Sequence, residues 1–136
     1  MADKQTGGTI YEMIGGEKTI RKLVEAFYPK VIAHPNLGPL FPEDIAPVME
    51  KQFMFLTQFF GGPALYTMRF GPPMMRARHL PVPITRERAA EWLGCMKEAL
   101  SEIGLPEFWQ RVMLERLTGP AYHFVNTEAE QEKTRE

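Results

Sequence analysis

A single cysteine, Cys95, in 136 residues excludes an internal disulfide and cannot assemble an iron–sulfur cluster. Nor is there an apolar run of about 18 residues or a basic-then-apolar leader, so neither a membrane span nor secretion is expected, and a reducing cytoplasm is the natural setting. Charge of one sign is also lacking: sixteen Lys and Arg stand against seventeen Asp and Glu, which leaves no global field to draw nucleic acid or an anionic membrane. Only three histidines occur, His34, His79 and His123. They are far apart, with no HExxH and no Glu-x-x-His, which argues against a protein cage that holds a metal through several side chains. Strand-like alternation and internal repeats are missing as well. Cys95 itself, in the stretch WLGCMKEAL, reads as a small buried apolar residue and is given no role.

What is present is helical periodicity broken by proline and glycine, in a chain sized for one domain with one core. Thr9 and Glu12 form a capping box, and Gly15-Gly16 stops the short helix that follows. From Glu17, the residues Ile20, Leu23, Val24, Phe27, Tyr28 and Val31 share one helical face, up to His34-Pro35-Asn36. Pro29 should interrupt and kink this helix, because it deletes a donor and crowds the carbonyl of Glu25. Leu37 to Pro42 should be a tight corner with a buried aromatic, Phe41. A third stripe, Val48, Met49, Gln52, Phe55, Leu56 and Phe59, ends at Gly61-Gly62-Pro63. The stretch from there to Ile84 carries five prolines and almost no periodic signal, and only Pro73 to His79 looks like a turn or two of helix. Thr85 caps a long helix that ends at Gly104. Pro106 opens the last one, which should bend or break at Gly119-Pro120 and resume with Phe124 and Val125. Residues 1–8 are expected to form a flexible arm, 9–126 the domain, and 127–136 a disordered charged tail.

Three features of this pattern bear on chemistry. A compact domain rarely keeps some twenty irregular residues unless they serve a site, since their backbone polar groups need partners. His79 lies in that stretch, beside Met74, Met75, Leu80 and Val82. Taken alone it is an ordinary core or surface histidine; in this stretch it is also a candidate ligand. Second, Tyr28, Gln52 and Trp92 put polar groups on otherwise apolar helical faces, and each comes from a different helix. They are either amphipathic anchors at the core edge or donors around a site; a leucine would suit the Gln52 position better. Third, Lys51, Arg69, Arg76 and Arg78 gather around the irregular stretch, with Tyr66 nearby. They are solvated charge, or partners for an anionic edge. A large flat prosthetic group with two carboxylates at one edge would answer all three.

The segments AFYPKV, AHPNLGPLFPED, KQFMFLTQFFGGPALYT, GPPMMRARHLPVPIT and ERAAEWLGCMKEA, in this order between about Thr9 and Asn126, resemble the truncated haemoglobins, specifically the second group of bacterial two-over-two globins. The resemblance implies an all-α, globin-like two-over-two helical sandwich around one haem b per chain. It implies His79 as the proximal iron ligand and Tyr28, Gln52 and Trp92 on the distal side, with apolar Val48 at the ligand gate. Phe41 and Phe55 would pack on the porphyrin or beside the ligand, and Lys51, Tyr66 and Arg78 would face the propionates. Three positions depart from the usual pattern: Pro29 directly follows Tyr28 and could displace its hydroxyl, Pro72 stands where relatives often carry histidine, and Val48 at the gate is apolar and β-branched, so it offers the ligand no hydrogen bond.

The function so implied is binding of dioxygen and other small gaseous ligands, with slow oxygen release. Oxygen transport is one reading. Nitric oxide detoxification, peroxidase-like turnover and the handling of sulfide are redox alternatives, and nitric oxide conversion would need an external reductase because no flavin or nicotinamide motif is present. Enzyme status stays open, as does the choice of monomer or homodimer. The rival outside this class is a cofactor-free helical interaction module whose aromatic and Met-rich faces are core and partner surface.

Overall fold

The computed structural model describes residues 8–127, and among them every regular element is a helix. The expected arm over 1–8 and tail over 127–136 therefore lie outside the described residues except for Gly8 and Thr127. Thr127, the first residue of that tail, is buried and hydrogen-bonded rather than frayed.

The chain starts with α1 (Ile10–Ile14), held at its N-terminus by the expected reciprocal cap: the Glu12 amide donates to Thr9 Oγ1 and the Thr9 amide to Glu12 Oε1, both at 3.2 Å. Helix α2 (Glu17–Ala33) buries Ile20, Leu23, Val24, Phe27, Tyr28 and Val31, the stripe that the periodicity picked out. It runs through Pro29 without interruption, contrary to expectation. Pro29 and Glu25 both face solvent, so the carbonyl that loses its donor is open to water, while fully buried Leu23, Phe27 and Val31 hold the turns on either side.

A 3₁₀ turn (Gly38–Leu40) makes the corner. Gly38 is required there, because a Cβ would sit 2.4 Å from the Ile32 carbonyl oxygen. The side chain that the corner buries is Leu37; Phe41, expected in that role, is only half-buried.

Next come α3 (Ala46–Phe59), α4 (Leu65–Phe70) and α5 (Met75–His79). Helix α4 falls in the stretch expected to be irregular. Its support is not local: Gln58 of α3 accepts from the Thr67 amide at 2.9 Å and donates to Thr67 Oγ1 at 2.7 Å, while Tyr66 is buried. Helix α6 (Arg86–Glu102) starts at Thr85, whose Oγ1 accepts from the Arg88 amide at 3.1 Å. Helix α7 (Glu107–His123) continues through Gly119-Pro120 where a bend or break was expected, and it ends before Phe124 instead of resuming there. Leu117 and Ala121 are buried on either side of this proline, and Arg116, whose carbonyl loses its donor, is exposed.

Helix α2 packs on α3 and α6, and α6 on α7, giving two helix pairs laid over each other as a two-over-two sandwich. Phe27, Leu23 and Ile20 of α2 meet Leu56, Met96, Leu100 and Met113 in a core with almost no solvent exposure. Each such side chain contributes roughly 1.5–3 kcal/mol by leaving water.

One buried group works against this core. Thr57 is fully buried, and its hydroxyl has no hydrogen-bond partner among the described residues. Thr57→Val removes that hydroxyl while keeping the branched shape, so it should stabilise the protein by about 1 kcal/mol in urea unfolding. A loss of stability would mean that the hydroxyl is satisfied in solution.

Candidate functional site

Between the two helix pairs lies a cavity of about 610 Å³. That is the size of a cofactor site. The ten residues that the resemblance assigned to the site all line it: Tyr28, Phe41, Val48, Lys51, Gln52, Phe55, Tyr66, Arg78, His79 and Trp92; Arg69 of the basic cluster does not, and lies near the Phe70 ring instead. Five helices and the corner thus converge on one space.

One pole is built by α2, α3 and α6. Phe27, a core residue that the sequence reading did not assign to the site, packs edge-on against both Tyr28, at 4.9 Å between ring centroids, and Trp92, at 5.0 Å. Phe41 meets the Tyr28 ring edge-on at 6.0 Å. These contacts hold Tyr28 at the cavity despite Pro29. Burial pushes the Tyr28 hydroxyl well above the ordinary phenol range, so it stays a neutral donor through neutral and mildly alkaline pH. No hydrogen bond joins the Tyr28 hydroxyl, the Gln52 amide or the Trp92 indole to another described residue. Tyr28 is a buried residue that lines the cavity, so its unpaired hydroxyl fits a site that supplies an acceptor.

His79 forms the opposite pole. Its Nδ1 lies 2.6 Å from the carbonyl oxygen of Met75, one turn earlier in α5. A carbonyl only accepts, so Nδ1 carries a proton and donates, and Nε2 is the nitrogen left to bind a metal. Phe124 stacks on the imidazole at 4.4 Å with the planes 9° apart. Hydrogen bond and stacked ring together leave the imidazole little freedom to turn. The other two histidines are placed differently: His34 Nδ1 accepts from the Asn36 amide at 3.1 Å, and His123 is exposed at the end of α7.

The basic edge is less simple than the sequence implied. Arg78 donates from Nε to Pro73 O at 2.6 Å, and from Nη2 to Phe70 O and Pro72 O at 3.1 and 3.2 Å. It ties α4 to α5 and leaves only Nη1 for an anion. Lys51 is exposed, with its ammonium 5.0 Å from the Phe70 ring centre, and Tyr66 is buried beneath the Arg78 guanidinium at 5.4 Å.

Sequence reasoning missed Arg88, Phe124 and Asn126. Arg88 lines the cavity and donates to Asn36 O and Pro83 O, both at 3.0 Å, which joins the corner to the start of α6. Phe124 looked like helix continuation and is instead the platform for His79. Asn126 looked like the last residue before a tail. No local signal marks its side chain as structural. Among the described residues no three His, Cys, Asp or Glu side chains gather as a metal site, and no helix is long and apolar enough to cross a membrane.

The pattern of the bacterial-like globin family matches residues 9–126. The group 2 truncated hemoglobin YjbI of Bacillus subtilis is 51% identical over 121 residues, which is 88% of this chain and 91% of that protein. The crystal structure of the group II truncated hemoglobin from Bacillus anthracis superposes with a TM-score of 0.87 at 48% identity, covering 89% of this chain and 93% of that one. A truncated oxygen-avid haemoglobin from Bacillus subtilis gives a TM-score of 0.84 at 49% identity, over 88% of this chain and all of that one. With the match running almost from end to end of the helical domain, the chain belongs to the bacterial-like globins, in the second group of truncated haemoglobins, a family of haem proteins that bind small gases.

Proposed function

We propose that the cavity holds one haem b per chain, with Nε2 of His79 as its axial ligand and Tyr28, Gln52 and Trp92 facing a small gas on the other side. The observation that carries this reading is the Nδ1 contact of His79 to Met75 O, which engages that nitrogen with the backbone and leaves Nε2 as the one available to an iron, on a residue lining the cavity. Haem held there would supply an iron able to bind a diatomic gas.

The chain's own residues do the rest. Tyr28 donates to the outer atom of a polar ligand, and the Gln52 amide and Trp92 indole add up to two more donors. In a water-poor space each is worth about 1 kcal/mol or more. Dioxygen develops more negative charge there than carbon monoxide, so the donors hold it more firmly. Slow oxygen release follows, in keeping with the oxygen avidity of the similar Bacillus subtilis protein. Val48 offers an apolar gate with no donor. Lys51, Tyr66 and the free Nη1 of Arg78 face the carboxylate edge, and Phe41 and Phe55 flank the ring.

So tight a hold on oxygen suits redox chemistry in the cytoplasm better than oxygen transport. Oxidation of nitric oxide to nitrate by bound dioxygen fits, since dioxygen takes four electrons where nitric oxide gives three, and an external reductase would supply the fourth; peroxidase-like turnover is the neighbouring possibility. The protein would act as a monomer or homodimer.

Purified protein titrated with haemin should take up one equivalent per chain with an intense Soret band, and reduction should give the five-coordinate ferrous spectrum of a histidine-ligated haem. No uptake at stoichiometric concentrations would leave the cavity to some other occupant and favour the cofactor-free module.

A further inference from the structure

Helix α5 is five residues long and starts from Met74, whose φ of 43° is left-handed without being glycine. A helix this short does not hold its own position. The carbonyls at its C-terminal end also need partners from outside. The His79 carbonyl accepts from the Val82 amide at 2.9 Å and from Asn126 Nδ2 at 3.1 Å. The same Nδ2 donates to Val82 O at 2.9 Å, while Asn126 Oδ1 accepts from the Ile84 amide at 3.0 Å and from Thr127 Oγ1 at 2.6 Å. Both donors and both acceptor positions of this amide are in use. Backbone amides of Asn126 and Thr127 add bonds to Ile84 O at 2.9 and 3.1 Å.

We infer that Asn126 is a positioning residue for His79: its side-chain amide fixes the turn leaving α5 and so sets how the imidazole stands at the cavity. This rests on His79 being the haem ligand. Phe124, two residues earlier, lies against the ring of His79, and Asn126 holds its backbone. The segment after α7 therefore grips His79 at both ring and backbone, with Asn126 47 positions away in the chain. Aspartate at 126 has the same size and keeps the acceptor. It lacks both donors, and it sets a negative charge against two carbonyl oxygens.

The test uses the haem-loaded ferrous protein. Asn126→Asp should shift or broaden the iron–histidine stretching band in resonance Raman spectra, and should speed haem transfer to an excess of an apo-globin acceptor by roughly tenfold, the lower end of what loss of an outer ligand partner costs. Asn126→Ala, which removes the donors without adding charge, should move both readouts in the same direction and keeps the test open if the aspartate variant does not fold. Leu100→Ala lowers stability in the core away from the cavity and should leave the band in place. A band and a transfer rate unmoved in both Asn126 variants, with only thermal stability reduced as in Leu100→Ala, overturns the inference. If the unmutated protein has no iron–histidine band, the His79 reading fails first and the inference falls with it.

Discussion

Tyr28→Phe should raise the oxygen dissociation rate by about tenfold or more, and Trp92→Leu should raise it as well, while carbon monoxide dissociation changes much less. The magnitude follows from the chemistry of the donor. A hydrogen bond of 1–3 kcal/mol held in the bound state and lost in the variant multiplies the off-rate by roughly 5- to 150-fold. The same substitution should have the opposite sign for the empty protein. Tyr28 is buried at the cavity wall and its hydroxyl finds no partner among the described residues, so phenylalanine removes no protein–protein hydrogen bond from the ligand-free protein and keeps the ring packing. Apo-protein carrying Tyr28→Phe should therefore be as stable as the parent or more so in urea unfolding. Faster oxygen release together with unimpaired stability is the signature of a donor kept for a ligand. Unchanged oxygen off-rates in both variants would take the network out of the account, and a destabilised apo-protein would mean that Tyr28 serves the core instead.

The legible part of this site lay where periodicity and chemistry agree. Tyr28 and Gln52 stood out because polar side chains broke apolar stripes, and such stripes survive into the structure as helix faces: α2 buries the six residues that its spacing named. His79 stood out for lying in chain without a helical pattern of its own. Illegible were the features made by distant partners. Helix α4 exists because Gln58 grips Thr67 from the end of α3, and a six-residue helix has too few turns to show a period. Pro29 and Pro120 were read as breaks because a local rule assigns each an unpaired carbonyl. Whether that carbonyl is costly depends on solvent reaching it, which only the packed structure decides. Asn126 sat one residue before a charged run and carried no mark of the clamp it forms. The basic edge was the most ambiguous region, since Arg78 had to be near the cavity for either role, and its three backbone acceptors came from turns with no sequence signature.

The second large effect concerns the opposite pole. His79→Ala should abolish the five-coordinate ferrous spectrum and speed haem loss by well over the 10- to 100-fold that removing an outer ligand partner costs, because here the ligand itself is gone. The fold should survive. His79 is only half-buried, and the helices that carry the core, α2, α3, α6 and α7, do not depend on its side chain. What is left behind is a slot with two of its determinants intact: the Met75 carbonyl, which accepts a ring N–H, and the flat face of Phe124, against which a ring stacks. Free imidazole matches both. Added at millimolar concentration to His79→Ala, it should restore the histidine-like spectrum, and it should do so less well when Phe124 is also changed to Ala. His123→Ala and His34→Ala should leave the spectrum unchanged, the first because His123 is exposed beyond Phe124, the second because His34 already accepts from the Asn36 amide. A His79→Ala protein that kept the ferrous spectrum, alongside a His123→Ala protein that lost it, would move the ligand to the end of α7. In that case Phe124 would be the partition between two imidazoles instead of the platform for one.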